Sequence, residues 1–145
     1  MIRLATRDDI PTLCDIARSF AADGDYRGPR QVLDWFHFAS NLERTLDAPG
    51  GVIFVSEKAG RAAGFIAGLV MPSPYTAQII ALKTQWCVCP KRGRGTGVSL
   101  LRAFEKWARS NDATKILAAS MSEAGEAVLD RLGFTAFETS FYKVL

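Results

Sequence analysis

A chain of 145 residues with 48% hydrophobic and 23% charged residues has the size and balance of one ordinary globular domain, here 1–145. No apolar run approaches the roughly 20 residues of a membrane helix, and Met1–Asp9 holds no stretch like a signal peptide, so a cytoplasmic protein with no membrane partner is expected. One histidine and three cysteines, none in a CxxC pair, argue against a zinc enzyme, and no metal is expected.

In chain order, Ile2 to Ala5 reads as a short strand. Thr6 reads as a helix cap, with Asp9 three residues on and Pro11 in the first turn. Ile10, Leu13, Cys14 and Ala17 then share one helical face. Asp23 to Pro29 breaks that helix, and a second is expected from about Arg30 to Leu46. It carries Trp35, Phe36, His37 and Phe38 in succession, and four such residues cannot all face one core. At least one of them is expected to face a pocket or a partner.

Val52–Glu57 and Ala63–Met71 read as an antiparallel hairpin around the Lys58–Arg61 turn. A longer strand is expected from about Thr76 to Cys89, ending at Pro90. After a glycine-rich turn, Val98, Leu101, Phe104 and Ala108 mark a helix, and Lys115–Ser120 reads as a short buried strand. Ser120 or Ser122 caps a last helix that ends at Gly133, and Phe134–Leu145 is expected to close the sheet. Hairpins and crossovers together imply an α/β sandwich on a mixed sheet.

The charge is unevenly placed. Between Lys83 and Lys115 there are eight Lys or Arg against only Glu105 and Asp112, a segment suited to meeting an anion. At its centre stands Pro90-Lys91-Arg92-Gly93-Arg94-Gly95-Thr96-Gly97-Val98-Ser99, between a strand and a helix. Glycines let backbone N–H groups converge, and the helix start adds unpaired donors and a positive dipole end. Together these suit a pyrophosphate. A P-loop string is absent, and the spacing of Gly93, Gly95 and Gly97 is not that of a dinucleotide fold, which also needs an acidic residue where Ile116, Leu117 and Ala118 stand.

Arg92-Gly93-Arg94-Gly95-Thr96-Gly97 does match the coenzyme A turn of GNAT-type N-acetyltransferases: Arg or Gln, two residues, Gly, one residue, Gly or Ala. Val88-Cys89-Pro90 before it, Leu100-Leu101 after it, the opening Ile-Arg-Leu-Ala-Thr and the closing Leu-Gly-Phe also resemble that family. The resemblance extends to the order of elements over the whole chain. It implies an α+β fold: a mixed, mostly antiparallel sheet of roughly six to seven strands with about four helices. It implies acetyl-CoA as co-substrate and an acetyl group passed by direct attack in a ternary complex to a small-molecule or peptide amine.

By the same resemblance, Cys87, Val88 and Cys89 supply backbone groups to the pantetheine arm, in a gap where the strand splays from its neighbour. Arg92, Gly93, Arg94, Gly95, Thr96, Gly97 and Val98 hold the pyrophosphate. The Val88 N–H points at the thioester oxygen, an effect worth roughly 3 to 4 kcal/mol in comparable sites. Acceptor contacts fall to Tyr26, Trp35, His37, Phe38 and Tyr75. Acid–base chemistry departs from the family pattern. Gln85 stands where many relatives place a glutamate, Leu129 where they carry a tyrosine, and Ser122 where an asparagine is common. Gln85 and Ser122 are therefore the side-chain candidates, with Glu57, His37, Asp34 and Glu123 as substitutes and water as the remaining alternative.

Two other readings compete. In a nucleic-acid-binding module, aromatics would be interleaved with the basic residues for stacking, whereas Trp86, Phe104 and Trp107 fit strand or helix packing, so no nucleic-acid partner is expected. A catalytically degenerate domain that binds acyl-CoA for a regulatory purpose keeps the turn without the turnover. A homodimer is left open.

Overall fold

A computed structural model describes residues 1–22 and 34–145. Within them the chain forms β1 (Ile2–Leu4), a 3-10 turn (Arg7–Asp9), α1 (Ile10–Ala22), α2 (Trp35–Asp47), β2 (Gly51–Lys58), β3 (Arg61–Pro72), β4 (Ile79–Val88), α3 (Thr96–Ser110), β5 (Ala113–Ala118) and α4 (Glu123–Arg131). One sheet runs β1-β2-β3-β4-β5. Its first three junctions are antiparallel and the last, which needs the α3 crossover, is parallel.

Alternation along the strands divides the apolar side chains into two cores. Ile53, Val55, Phe65 and Ala67 face α1 and α2, where they meet Leu13, Ile16 and Leu42. Val52 and Ile66 face the opposite way, against Leu100, Leu101 and Phe104 of α3. The helices thus cover both sheet faces, as the mixed pattern requires.

One irregularity in β4 decides which of its side chains reach which core. Gln85 pairs with Ala67 and Lys83 with Gly68, leaving Thr84 as an extra residue, a β-bulge. Its hydroxyl donates to the Ala67 carbonyl at 3.1 Å. Before the bulge the odd-numbered Ala81 belongs to the α3 core; after it the even-numbered Trp86 does, while Cys87 turns to α1 and α2. One inserted residue exchanges the faces.

The first turn is tied down by charge. Arg3 donates to both carboxylate oxygens of Asp9, each at 2.8 Å, and through Nε to Glu57 of β2 at 2.7 Å. Asp9 also accepts from the Thr6 N–H at 2.7 Å. The Arg3 hydrogen bond, with help from Thr6, outweighs burial and lowers the Asp9 carboxyl to about 2. A carboxyl lowered in the folded state stabilises the fold above its usual value and loses that contribution as pH falls through the folded one. Asp9→Asn is expected to lose about 1–2 kcal/mol near neutrality. The deficit should shrink as urea titrations are repeated from about pH 4 toward about pH 2.

One expectation needs correction. The sheet has five strands among the described residues, not six or seven, because residues 134–145 form no regular element. Phe134 packs beside the α3 core, but Phe137, Phe141, Tyr142, Val144 and Leu145 are exposed and β5 remains the edge. The segment lacks sustained apolar alternation, so nothing in it fixes a strand register. The second helix begins at Trp35 behind Asp34, whose carboxylate accepts from the His37 N–H at 3.0 Å. The expected start at Arg30 lies outside the described residues.

Candidate active site

Strands β4 and β5 pair from Ile79–Ala113 to Lys83–Ala118 and no further. Strand β4 continues to Val88, while the chain after β5 turns through Ala119–Ser122 into α4. The divergence leaves a wedge, and a cavity of about 420 Å³ fills it. Lys83 to Val88 form one wall; Ala119 to Ser122 with Gly125, Val128 and Arg131 form the other. Gly93, Gly95, Gly97 and Val98 lie at its α3 end, and Ala17, Phe20, Ala21 and Phe38 at its α1/α2 end. The cavity therefore passes through the sheet and joins its two faces.

The glycine turn is built by close approach. A Cβ on Gly93 would stand 1.9 Å from Val88 Cγ1 and 2.7 Å from the Cys89 carbonyl oxygen, so no side chain fits. Gly95 has φ +78°, a left-handed conformation, and open space where a Cβ would be. It is the N-cap of α3 and offers no capping side chain, so the first N–H groups of the helix depend on other acceptors. The Lys58 ammonium donates to the Arg94 carbonyl. In a trans peptide this turns the Gly95 N–H the opposite way. The Gly93 carbonyl accepts from the Thr96 N–H at 2.8 Å and closes the turn.

Titratable groups on the wall are few. Burial is the larger influence on the Cys87 thiol and pushes it up to about 12, so it stays protonated. Burial also lowers the affinity of the Lys83 amine for its proton, opposed by Cys87. At Cys89, burial raises the thiol, but hydrogen bonds from the Arg92 side chain and the Lys91 and Arg92 backbone together outweigh it, and the net direction is down. Cys89 and Arg92 thus meet beside the turn. No group of three His, Cys, Asp or Glu side chains suited to a metal occurs among the described residues.

Of the residues singled out from the sequence, Gln85, Cys87, Val88, Gly93, Gly95, Gly97, Val98, Ser122 and Phe38 meet at this cavity. Ser122 Oγ is the N-cap of α4 and accepts from the Gly125 N–H at 3.0 Å. Cys89 and Thr96 are buried beside the turn, and neither they nor Arg92 and Arg94 line the wall. Trp35 packs edge-on to Phe38 and under the Arg18 guanidinium. His37 is exposed, Tyr75 is 92% exposed, and neither lines the cavity. Tyr26 lies outside the described residues. Asp34 is spent on capping α2 and Glu57 on Arg3, while Glu123 opens α4 off the wall. Leu129 is buried in the α3-side core.

Sequence reasoning missed Lys83, Phe20 and Arg131. Lys83 was one basic residue among eight in its segment, and only the end of β4–β5 pairing gives it a particular place.

The family model described as "Acetyltransferase (GNAT) family" matches residues 11–134. A search of curated protein sequences gave no match. Among solved structures, a predicted acetyltransferase from Clostridium acetobutylicum, with acetyl-CoA, superposes with TM-score 0.81 at 19% identity, covering 99% of this chain and 95% of that one. AAC(6')-Iy, in complex with the bisubstrate analogue CoA-S-monomethyl-acetylneamine, gives 0.77 at 18% identity, with coverage of 100% and 97%. A ribosomal-protein-alanine N-acetyltransferase from Brucella melitensis biovar Abortus 2308 gives 0.76 at 20%, again covering 100% and 97%. With a family model spanning most of its length and the glycine turn set at the mouth of a split sheet, this chain belongs to the GNAT acetyltransferase family.

Proposed function

We propose that the protein is an N-acetyltransferase that passes the acetyl group of acetyl-CoA directly to a primary amine, both bound at once. The observation that carries this reading is the cavity that crosses the sheet from the glycine turn to the α1/α2 face. Two reactants entering from opposite faces meet where β4 and β5 part, and most of the rate then comes from holding them together.

The residues present suit the donor. The open backbone at Gly95, in a turn that Gly93 and Gly97 allow to pack closely against Val88 and Trp86, with the mouth of α3 behind it, fits a diphosphate. Arg92 and Arg94 add positive charge at the rim, Thr96 fixes the turn, and Val98 continues the wall. The unpaired edge of residues 84–88 offers strand-like hydrogen bonds to the pantetheine arm, with Cys87 and Val88 nearest the turn, whereas the Cys89 N–H already donates to the Ala63 carbonyl and the Cys89 carbonyl accepts from the Arg92 N–H. The Val88 N–H is the donor assigned to the oxygen that gains charge during attack. Phe20 and Phe38 give the acceptor end an apolar character suited to the carbon skeleton of an amine. Gln85 and Ser122 are polar contacts along the path.

Heating the protein with acetyl-CoA is expected to raise its melting temperature by several degrees at about a hundredfold excess over Kd, and a panel of amines should include one that releases free thiol. Stabilisation without thiol release from any amine would instead support an acyl-CoA-binding regulatory protein. That second reading draws on the absence of any carboxylate side chain from the cavity wall among the described residues.

A further inference from the structure

Among the described residues, three side chains on the cavity wall can carry charge: Lys83, Cys87 and Arg131. An arginine does not give up its proton, and the Cys87 thiol is held protonated by burial. Lys83 remains as the wall residue able to take and return a proton, and burial loosens its hold on that proton.

Its position is particular. Lys83 is the last residue of β4 paired with β5, opposite Ala118, at the closed end of the wedge. The register opposite Gly68 sets it on the α3 side, one residue before the bulge. Its Nζ donates to the Ala119 carbonyl and lies 5.9 Å from the Trp86 ring centroid. The groups that share the cavity wall with it come from several elements. Cys87 and Gln85 come from β4, the Ala119 carbonyl and Ser120 from the segment after β5, and Arg131 from α4, whose first turn carries Glu123 and Glu126. Ala17, Phe20 and Ala21 of α1 and Phe38 of α2 bring no charge.

We propose that Lys83 is the proton-exchanging residue of acetyl transfer: its neutral amine takes the proton from the attacking nitrogen, and its ammonium gives one to the departing sulfur. This rests on the acetyl-transfer reading of the site. A bond forms between the acceptor nitrogen and the acyl carbon, and the carbon–sulfur bond breaks with its electron pair on sulfur. One proton travels from nitrogen to Nζ to sulfur, Lys83 returns to its starting state, and no other reactant is needed. The assignment also accounts for a wall without a carboxylate, and for leucine at position 129.

The test compares wild type with Lys83→Arg and Lys83→Met. Trace acetylation by acetic anhydride, mapped by mass spectrometry from about pH 6 to about pH 11, needs no acceptor. Lys83 is expected to reach half reactivity at lower pH than the exposed Lys106, and coenzyme A should shield it at least about tenfold. Equal titration with Lys106, or no shielding, overturns the proposal. Thiol release is then followed against pH with the amine panel, including an alkoxyamine that is neutral throughout. Lys83→Arg should keep stabilisation by acetyl-CoA yet lose about 10²–10³ in kcat, together with the acidic limb of the profile. A rate within about threefold of wild type overturns it. Lys83→Met should match the arginine variant in rate, which separates loss of proton exchange from loss of charge. If acetyl-CoA fails to stabilise wild type, the functional reading fails first. If it stabilises all three proteins and the rates are equal, only the role of Lys83 fails. Should no panel amine react, the labelling experiment decides.

Discussion

Gly95→Asp is expected to abolish thermal stabilisation by acetyl-CoA while leaving a folded protein. The site of substitution has open space where the new Cβ would go, so no clash forces the turn apart. Its φ of +78° costs a side chain about 1–2 kcal/mol, at the low end for Asp or Asn, which tolerate this region best. A carboxylate about 4 Å from a diphosphate is repelled by about 4 kcal/mol at the effective dielectric of a protein surface, close to a thousandfold in affinity. Gly95→Asn carries the same shape and backbone cost without the charge, and should keep most of the binding. Calorimetric or thermal-shift titration of both variants separates repulsion from strain. Normal binding by the aspartate variant would remove the glycine turn from the site altogether.

Phe104→Ala should be the most damaging core substitution, with a loss of about 3–5 kcal/mol in urea denaturation. Phe104 is fully buried at the centre of the α3-side core. Its place depends on Gly68, where a Cβ would stand 2.6 Å from both Phe104 Cε2 and Cζ, and 2.4 Å from the Leu82 carbonyl oxygen. Gly68→Ala should therefore cost at least about 1–3 kcal/mol by overpacking. Shortening the ring in Gly68→Ala/Phe104→Leu relieves the side-chain overlap but not the approach to the Leu82 carbonyl. The double variant is expected to be more stable than the sum of its single changes predicts, by about 0.5–2 kcal/mol. Strict additivity would mean the two groups do not share the space the structure gives them.

What could be read from the sequence was local. The glycine turn announced itself because Gly93, Gly95 and Gly97 answer to backbone conformation and close approach within a few residues. A cap at Ser120 or Ser122, which falls to Ser122, and Gly133, with φ +82°, as a terminator were readable for the same reason. The aromatic run in α2 was readable only in part. Too many rings for one core meant that one must look outward, and the structure shows Phe36 84% exposed and Phe38 on the cavity. What stayed hidden was set by partners distant in sequence. Nothing in Lys83-Thr84-Gln85 signals a bulge, because Thr84 becomes supernumerary only against Ala67 and Gly68. Lys83 in turn acquires its place from where β5 stops. The last twelve residues showed apolar content without a periodicity that would choose a strand.

The single supernumerary residue at position 84 has no place of its own on the neighbouring strand, because Lys83 and Gln85 already face Gly68 and Ala67. Exchange of Thr84 for another β-branched residue leaves the numbering of the strand intact, and little should change. Its removal would leave Lys83 opposite Gly68 and Gln85 opposite Ala67 in a regular ladder, with Trp86 still toward α3 and Cys87 still toward α1 and α2. A strand shortened by that one residue should thus keep both cores and lose only the local bend and twist beside the cavity.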